Sequence, residues 1–226
     1  MKNIITYLFF FLALISCEQT KKLNTDETKL IQEINLDQEI AEKIKGLSTG
    51  VFEVSKGNKD RDILFEDFQN LKNYSKNLPK AIKIKATAEN ASRIVKRFKQ
   101  VLKDKKLIVY KSAENHGNQD DIITILQSDN KFEALIFEAT NGVNYDIHTQ
   151  LIIDRLKDWD SKYGIELDGV GGDFVSGEFK NKPTDIPKFT KEMYDFCPDI
   201  VEQGVGSIKG LENTLKESNQ FFLWWD

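Results

Sequence analysis

Residues 221–226 read Phe-Phe-Leu-Trp-Trp-Asp, which places two of the chain's three tryptophans at its C-terminal end. Chain ends fray unless they are tied into a sheet or docked on a core, so this stretch must be read as structure. In an extended strand, Phe221, Leu223 and Trp225 fall on one face and Phe222 and Trp224 on the other. Both sets are apolar, which is the pattern of a strand covered on both sides and predicts a central position in the sheet. Burying such side chains is worth about 1.5–3 kcal/mol each. Five of them amount to a large share of the ~5–15 kcal/mol that holds an ordinary domain together.

Working upstream, Ser207 is placed to cap a helix carrying Ile208, Leu211 and Leu215. Lys188–Phe196 reads as a helix stopped by Pro198, because the residue before a proline avoids the α region. The segments Gly164–Val170 and Gly172–Phe179 read as a strand pair separated by glycines. Ile152, Leu156, Trp159 and Tyr163 form one stripe of a helix over 149–163. Phe132, Leu135, Ile136 and Ala139 have helical spacing, although a short buried strand gives a similar run. Strands are predicted at Asp121–Gln127, Lys106–Tyr110 and Ala81–Ala86, with Ile94, Val95, Phe98, Val101 and Leu102 marking a helix between the last two. The fold class expected is α+β: a mixed β-sheet of about five to six strands with helices packed on it and the C-terminal strand central.

The N-terminal end has a different composition. Residues 1–17 carry Lys2, an apolar run from Ile4 to Ile15, and Ser16 directly before Cys17. The run is too short for a membrane span, which needs about 20 apolar residues, and it matches a secretory signal. Leu14-Ile15-Ser16-Cys17 resembles the lipobox of bacterial lipoproteins. That resemblance implies cleavage before Cys17 and acylation of it, and several acyl chains suffice for stable anchoring. The expected division is a lipoprotein signal peptide at 1–16, a lipidated tether at 17–34, an N-terminal helix and extension at 35–79, and an α+β domain at 80–226. Residues 18–29 are polar and read as flexible. Leu36, Ile40, Ile44 and Leu47 then recur at helical spacing, with Asn35 as the expected N-cap and a short strand after it at 50–54. Residues 55–79 give no clear pattern before Pro79.

The chain carries 32 basic and 36 acidic side chains, a net charge of −4. Losing residues 1–16 would remove Lys2 and no acid. An acidic chain of this kind offers no general footprint for nucleic acid. With Cys17 acylated, Cys197 has no partner for an internal disulfide. The expected partner is therefore the membrane, through a lipid anchor, with a protein or small-molecule ligand of unknown identity, no nucleic acid and no cofactor. The expected location is the cell membrane or outer membrane, facing the periplasm or exterior.

Four stretches, Thr140–Ile147, Leu156–Leu167, Tyr194–Ile208 and Leu223–Asp226, resemble in order and spacing the bacterial family catalogued as domain of unknown function 4253. The resemblance runs from about residue 80 to the end and is most specific after Asp120. Family members commonly show Asp-Trp-Val-Glu where this chain has Asp173-Phe174-Val175-Ser176. The family has no established activity, so it implies no catalytic residues.

The remaining motifs are weak. Gly169 and Gly171 fail the dinucleotide pattern, since the third glycine position is Phe174 and a strand follows. Residues 203–207, Gln-Gly-Val-Gly-Ser, open a helix whose free N–H groups could hold an anion, or which Ser207 simply caps. His116 and His148 lie far apart without a ligand cluster of zinc spacing, so no metal site is expected. Cys197 reads as a buried thiol, or as a nucleophile if folding joins it to His148. Two polar segments, 141–146 and 197–204, read either as loop architecture or as the walls of one cleft. In the second reading Asn144, Tyr145, Asp146, Asp199 and Gln203 face a ligand. The function expected is a noncatalytic ligand- or protein-binding domain on a lipid anchor. Two alternatives are an envelope hydrolase pairing Asp146 with Asp173 or Asp199, and a toxin-neutralising or stress-related interaction protein with a flat acidic face.

Overall fold

The computed structural model describes residues 20–65 and 69–226. The expected signal peptide and Cys17 lie outside the described residues. Among those residues no helix is long and apolar enough to cross a membrane.

The chain is α+β, and the seven strands among the described residues form one mixed sheet in the order β1-β2-β4-β3-β5-β6-β7. These are β1 (Glu53–Ser55), β2 (Ala81–Ala86), β3 (Ile108–Ala113), β4 (Asp121–Leu126), β5 (Ile165–Val170), β6 (Phe174–Phe179) and β7 (Gln220–Trp224). The β3–β5 pair is parallel and every other neighbouring pair is antiparallel. Nine α-helices are described: α1 (Thr25–Glu33), α2 (Gln38–Leu47), α3 (Arg61–Leu64), α4 (Gln69–Ser75), α5 (Ala88–Lys103), α6 (Glu133–Phe137), α7 (Thr149–Tyr163), α8 (Ile186–Phe196) and α9 (Ile208–Glu217).

Two expectations are corrected at the N-terminal end. Residues 25–33, expected within a flexible tether, form α1, because Asn24 and Glu27 build a capping box: each side chain accepts the other's backbone N–H at 2.9 Å. Glu27 is buried and also accepts the Phe52 N–H at 3.1 Å and the Lys45 ammonium. Burial alone would raise its pKa, yet these hydrogen bonds hold it below the ordinary value. Asn35, expected as an N-cap, sits instead in a left-handed turn at φ 58°, and Asp37 caps α2 by accepting the Glu39 N–H at 3.0 Å. The weakly patterned segment 55–79 contains α3 and α4. Arg61 donates to the Phe137 carbonyl at 2.5 Å, and Phe65 and Leu71 pack with Ala139.

The sheet has two cores on opposite faces. On one face α1, α2 and α5 cover Ile82, Ile84, Val109, Ile123 and Ile125. On the other, α6 to α9 cover Ile165, Leu167, Val175, Phe179, Phe221 and Leu223, with Trp159 at the centre of an edge-to-face aromatic cluster. Helix α5 lies over β2, β3 and β4 and reaches only the near side of β5. The first face is therefore left open across β6 and β7.

The C-terminal strand corrects a third expectation. β7 ends the sheet instead of standing at its centre. Its alternation is as read: Phe221, Leu223 and Trp225 are buried, while Phe222 is 38% exposed and Trp224 half-buried. The second apolar face is not covered by a helix. Phe222 stacks instead on Phe174 of the neighbouring strand, with centroids 5.9 Å apart and rings inclined by 15°. The outer edge is closed at Trp224 by Cys197, whose Sγ accepts the Trp224 N–H at 3.3 Å and whose S–H donates to the Trp224 carbonyl at 3.0 Å.

Candidate functional site

The two polar loops do converge. Residues 142 and 147 form an isolated antiparallel bridge, Val143–Tyr145 make a short 3-10 turn, and Asp146 closes it in the left-handed region at φ 56°. Tyr145 thereby reaches the segment after α8, where its hydroxyl donates to Asp199 Oδ1 at 2.5 Å. Gln203 Nε2 donates to the same oxygen at 3.0 Å, and the Asp226 N–H donates to Oδ2 at 2.9 Å. Asn144 Nδ2 donates to the Asp226 carbonyl. Gly142 belongs to the same arrangement, since a Cβ there would lie 2.7 Å from the Trp225 indole.

Asn144, Tyr145, Asp199 and Gln203 are thus brought together, and what they grip is the chain's own C-terminal strand. Asp199 is buried, which by itself would raise its pKa, but the hydrogen bonds from Tyr145, Asp226 and Gln203 lower it overall. The hydrogen bond to Asp199 is the main reason that the Tyr145 hydroxyl is pushed up to about 12. Asp146 is exposed at the turn, and Asp173 accepts the Trp225 N–H through its backbone carbonyl. With three donors already on its carboxylate, Asp199 is occupied as a structural acceptor.

Other candidates resolve similarly. Burial pushes the Cys197 thiol up to about 12, which leaves no thiolate at neutral pH, and the sulfur hydrogen-bonds to the Trp224 backbone. Ser207 caps α9 by accepting the Gly210 N–H at 3.0 Å. Among the described residues, no group of three or more His, Cys, Asp or Glu side chains could hold a metal.

A second surface was not visible in the sequence. On the open half-face, beside α5, lies a cavity of about 510 Å³ whose lining includes Lys99, Lys111, Glu114, Asp168, Ser176 and Phe222. A neighbouring cavity of about 360 Å³ shares Glu114 and Phe222 and adds His116, Asp173, Phe174 and Trp224. The two cavities adjoin at these shared residues and are described together as one trough. Lys99 pairs with Asp168, and Lys111 with Glu114 at 2.8 Å; Ser176 Oγ donates to Glu114 at 3.2 Å. Glu166 lies on the same wall. Burial would raise its pKa, but Lys180 and Lys103 hold it below the ordinary value. Next to these groups is Gly169, where a Cβ would stand 2.4 Å from Ser176 Oγ and 2.8 Å from Glu114 Oε1, so that a side chain there would displace them.

These trough residues come from five elements and share no sequence spacing. The available signals were the outward apolar parity of Phe222 and Trp224 and the departure from the family pattern at Phe174 and Ser176. All four residues line the trough.

One buried carboxyl lies outside both surfaces. Glu138 accepts the Tyr110 hydroxyl at 2.8 Å, and burial pushes its pKa up to about 7.

Comparison with known proteins gives one assignment. Residues 122–226 match the family described as domain of unknown function (DUF4253), so this portion of the chain, from β4 through β7, is such a domain. No curated protein and no solved structure matches the chain.

Proposed function

We propose that this chain, whose residues from 122 onward belong to the DUF4253 family, is a lipid-anchored protein of the cell envelope that binds a ligand in the open-face trough without transforming it. The carrying observation is the trough: a concave surface with an exposed, rigidly backed aromatic ring in its lining. Lys99 and Lys111 are paired with Asp168 and Glu114, and Glu166 is held ionised and is no proton donor at neutral pH. The loops expected to carry the site are occupied in holding β7. The anchor rests on the lipobox resemblance around Cys17.

A pull-down from envelope extract with the mature chain compares the two surfaces. Phe222→Asp, in the trough, is expected to abolish capture. Gln203→Ala, at the loops, is expected to leave it intact. The reverse pattern would return the site to the loops. For the anchor, Cys17→Ala should move the protein from the detergent phase to the aqueous phase, and unchanged partitioning would overturn the lipoprotein reading.

A further inference from the structure

Resting on that trough reading, we propose that the ligand is a neutral, polyhydroxylated chain, a short oligosaccharide laid across the Phe222 ring. The ring supplies the first argument. Phe222 is 38% exposed, and Phe174, only 7% exposed, backs it in a near-parallel stack. Such a platform has little freedom left to lose on binding. An aromatic face carries the negative part of the ring quadrupole. It attracts the weakly positive C–H hydrogens on the apolar face of a sugar ring.

Charge supplies the second argument. The cations Lys99 and Lys111 are already paired with Asp168 and Glu114. Paired ions offer strong donors and acceptors with little net field. A phosphate or nucleic acid would need a surplus of cations to neutralise it, which this lining, holding Lys96 and Glu178 besides two paired lysines, does not supply. A neutral hydroxyl uses both signs at once, donating to a carboxylate and accepting from an ammonium. Ser176 and Gln220 extend the same hydrogen-bonding surface.

Shape supplies the third. The two cavities, about 510 and 360 Å³, share Phe222 and Glu114, so together they offer more room than a single sugar ring fills. An extended peptide gains most of its affinity by adding a strand at a sheet edge. The trough is on a sheet face, and the β7 edge at Trp224 is closed by Cys197.

The test uses the full chain in a detergent without a sugar headgroup. Maltohexaose, cellohexaose and chitohexaose are titrated while the Trp224 indole and Phe222 ring resonances are followed by NMR. At least one hexasaccharide should shift both. Phe222→Ala should weaken that binding by about tenfold or more, and Phe222→Tyr, which keeps the ring, by less than about threefold. Thermal melts check that both variants are folded, and Gln220→Ala, at an exposed position, serves as a second trough variant expected to weaken binding. Undiminished binding by folded Phe222→Ala would overturn the proposal. Silence from all three sugars, with shifts from an uncharged acetylated Gly-Ser hexapeptide amide or from inorganic phosphate, would overturn the sugar class and leave the trough standing. Silence from every probe, together with envelope capture unaffected by Phe222→Asp, would overturn both.

Discussion

Two groups of polar side chains meet β7, one at its end and one on its open face, and they are used in opposite ways. At the end, Tyr145, Gln203 and Asn144 spend their donors on Asp199 and on the backbone of Asp226, so the polar atoms face inward on one another. On the open face, Lys99 is paired with Asp168 and Lys111 with Glu114, and these residues line a cavity together with the exposed Phe222. Irregular loops rich in Asn, Asp and Gly have become architecture here. The available surface lies on regular strands, where one apolar parity has no helix to cover it.

The strongest way to break this contrast is to remove what the loops hold. Deleting residues 221–226 takes away three buried side chains, worth together about 5–9 kcal/mol, and leaves Asp199 without its backbone donor. The truncated chain should show no cooperative transition in urea, and a cooperative one would mean that the strand is an accessory.

A milder cut is Asp199→Asn, which weakens three hydrogen bonds and should lower stability at pH 7 by about 1–3 kcal/mol. The pH dependence has a definite sign. Asp199 titrates below the ordinary aspartate value in the folded chain. Its contribution is therefore complete above the unfolded value of about 3.9 and fades as the pH falls below it toward the folded value. Wild type and variant should differ at pH 7, and the difference should shrink progressively as the pH falls below about 3.9. Equal urea midpoints at pH 7 would show that the loops do not hold β7.

The smallest effect is expected at the trough. Phe222→Ser loses an exposed stacked ring and should cost about 1 kcal/mol or less. A loss exceeding that of Asp199→Asn would make Phe222 a structural residue and reverse the contrast.

Much of the chain after residue 80 could be read from spacing alone. The helix at 149–163, the strands β2 and β4 and the Ser207 cap all carry their period or cap in consecutive residues. The edge position of β7 could not be read, because two apolar faces look alike whether the second is covered by a helix or by a stacked neighbour such as Phe174. Helix α1 was hidden for a related reason. Its anchor is a buried glutamate, Glu27, and a polar residue in a polar run gives no hydrophobic signal. The convergence of the loops was legible from their composition, while the occupant of Asp199 was not: Asp226 lies 27 residues away and donates through its backbone. The trough joins residues from α5 to β7, a juxtaposition that only the sheet order creates.

The thiol of Cys197 has a consequence for how copies of this protein meet. An end strand with unpaired amides is a template on which a second molecule can continue the sheet. By giving and receiving a hydrogen bond at Trp224, the sulfur occupies the place that a foreign backbone would take. A second copy pairing at this position would first have to break both of the sulfur's hydrogen bonds.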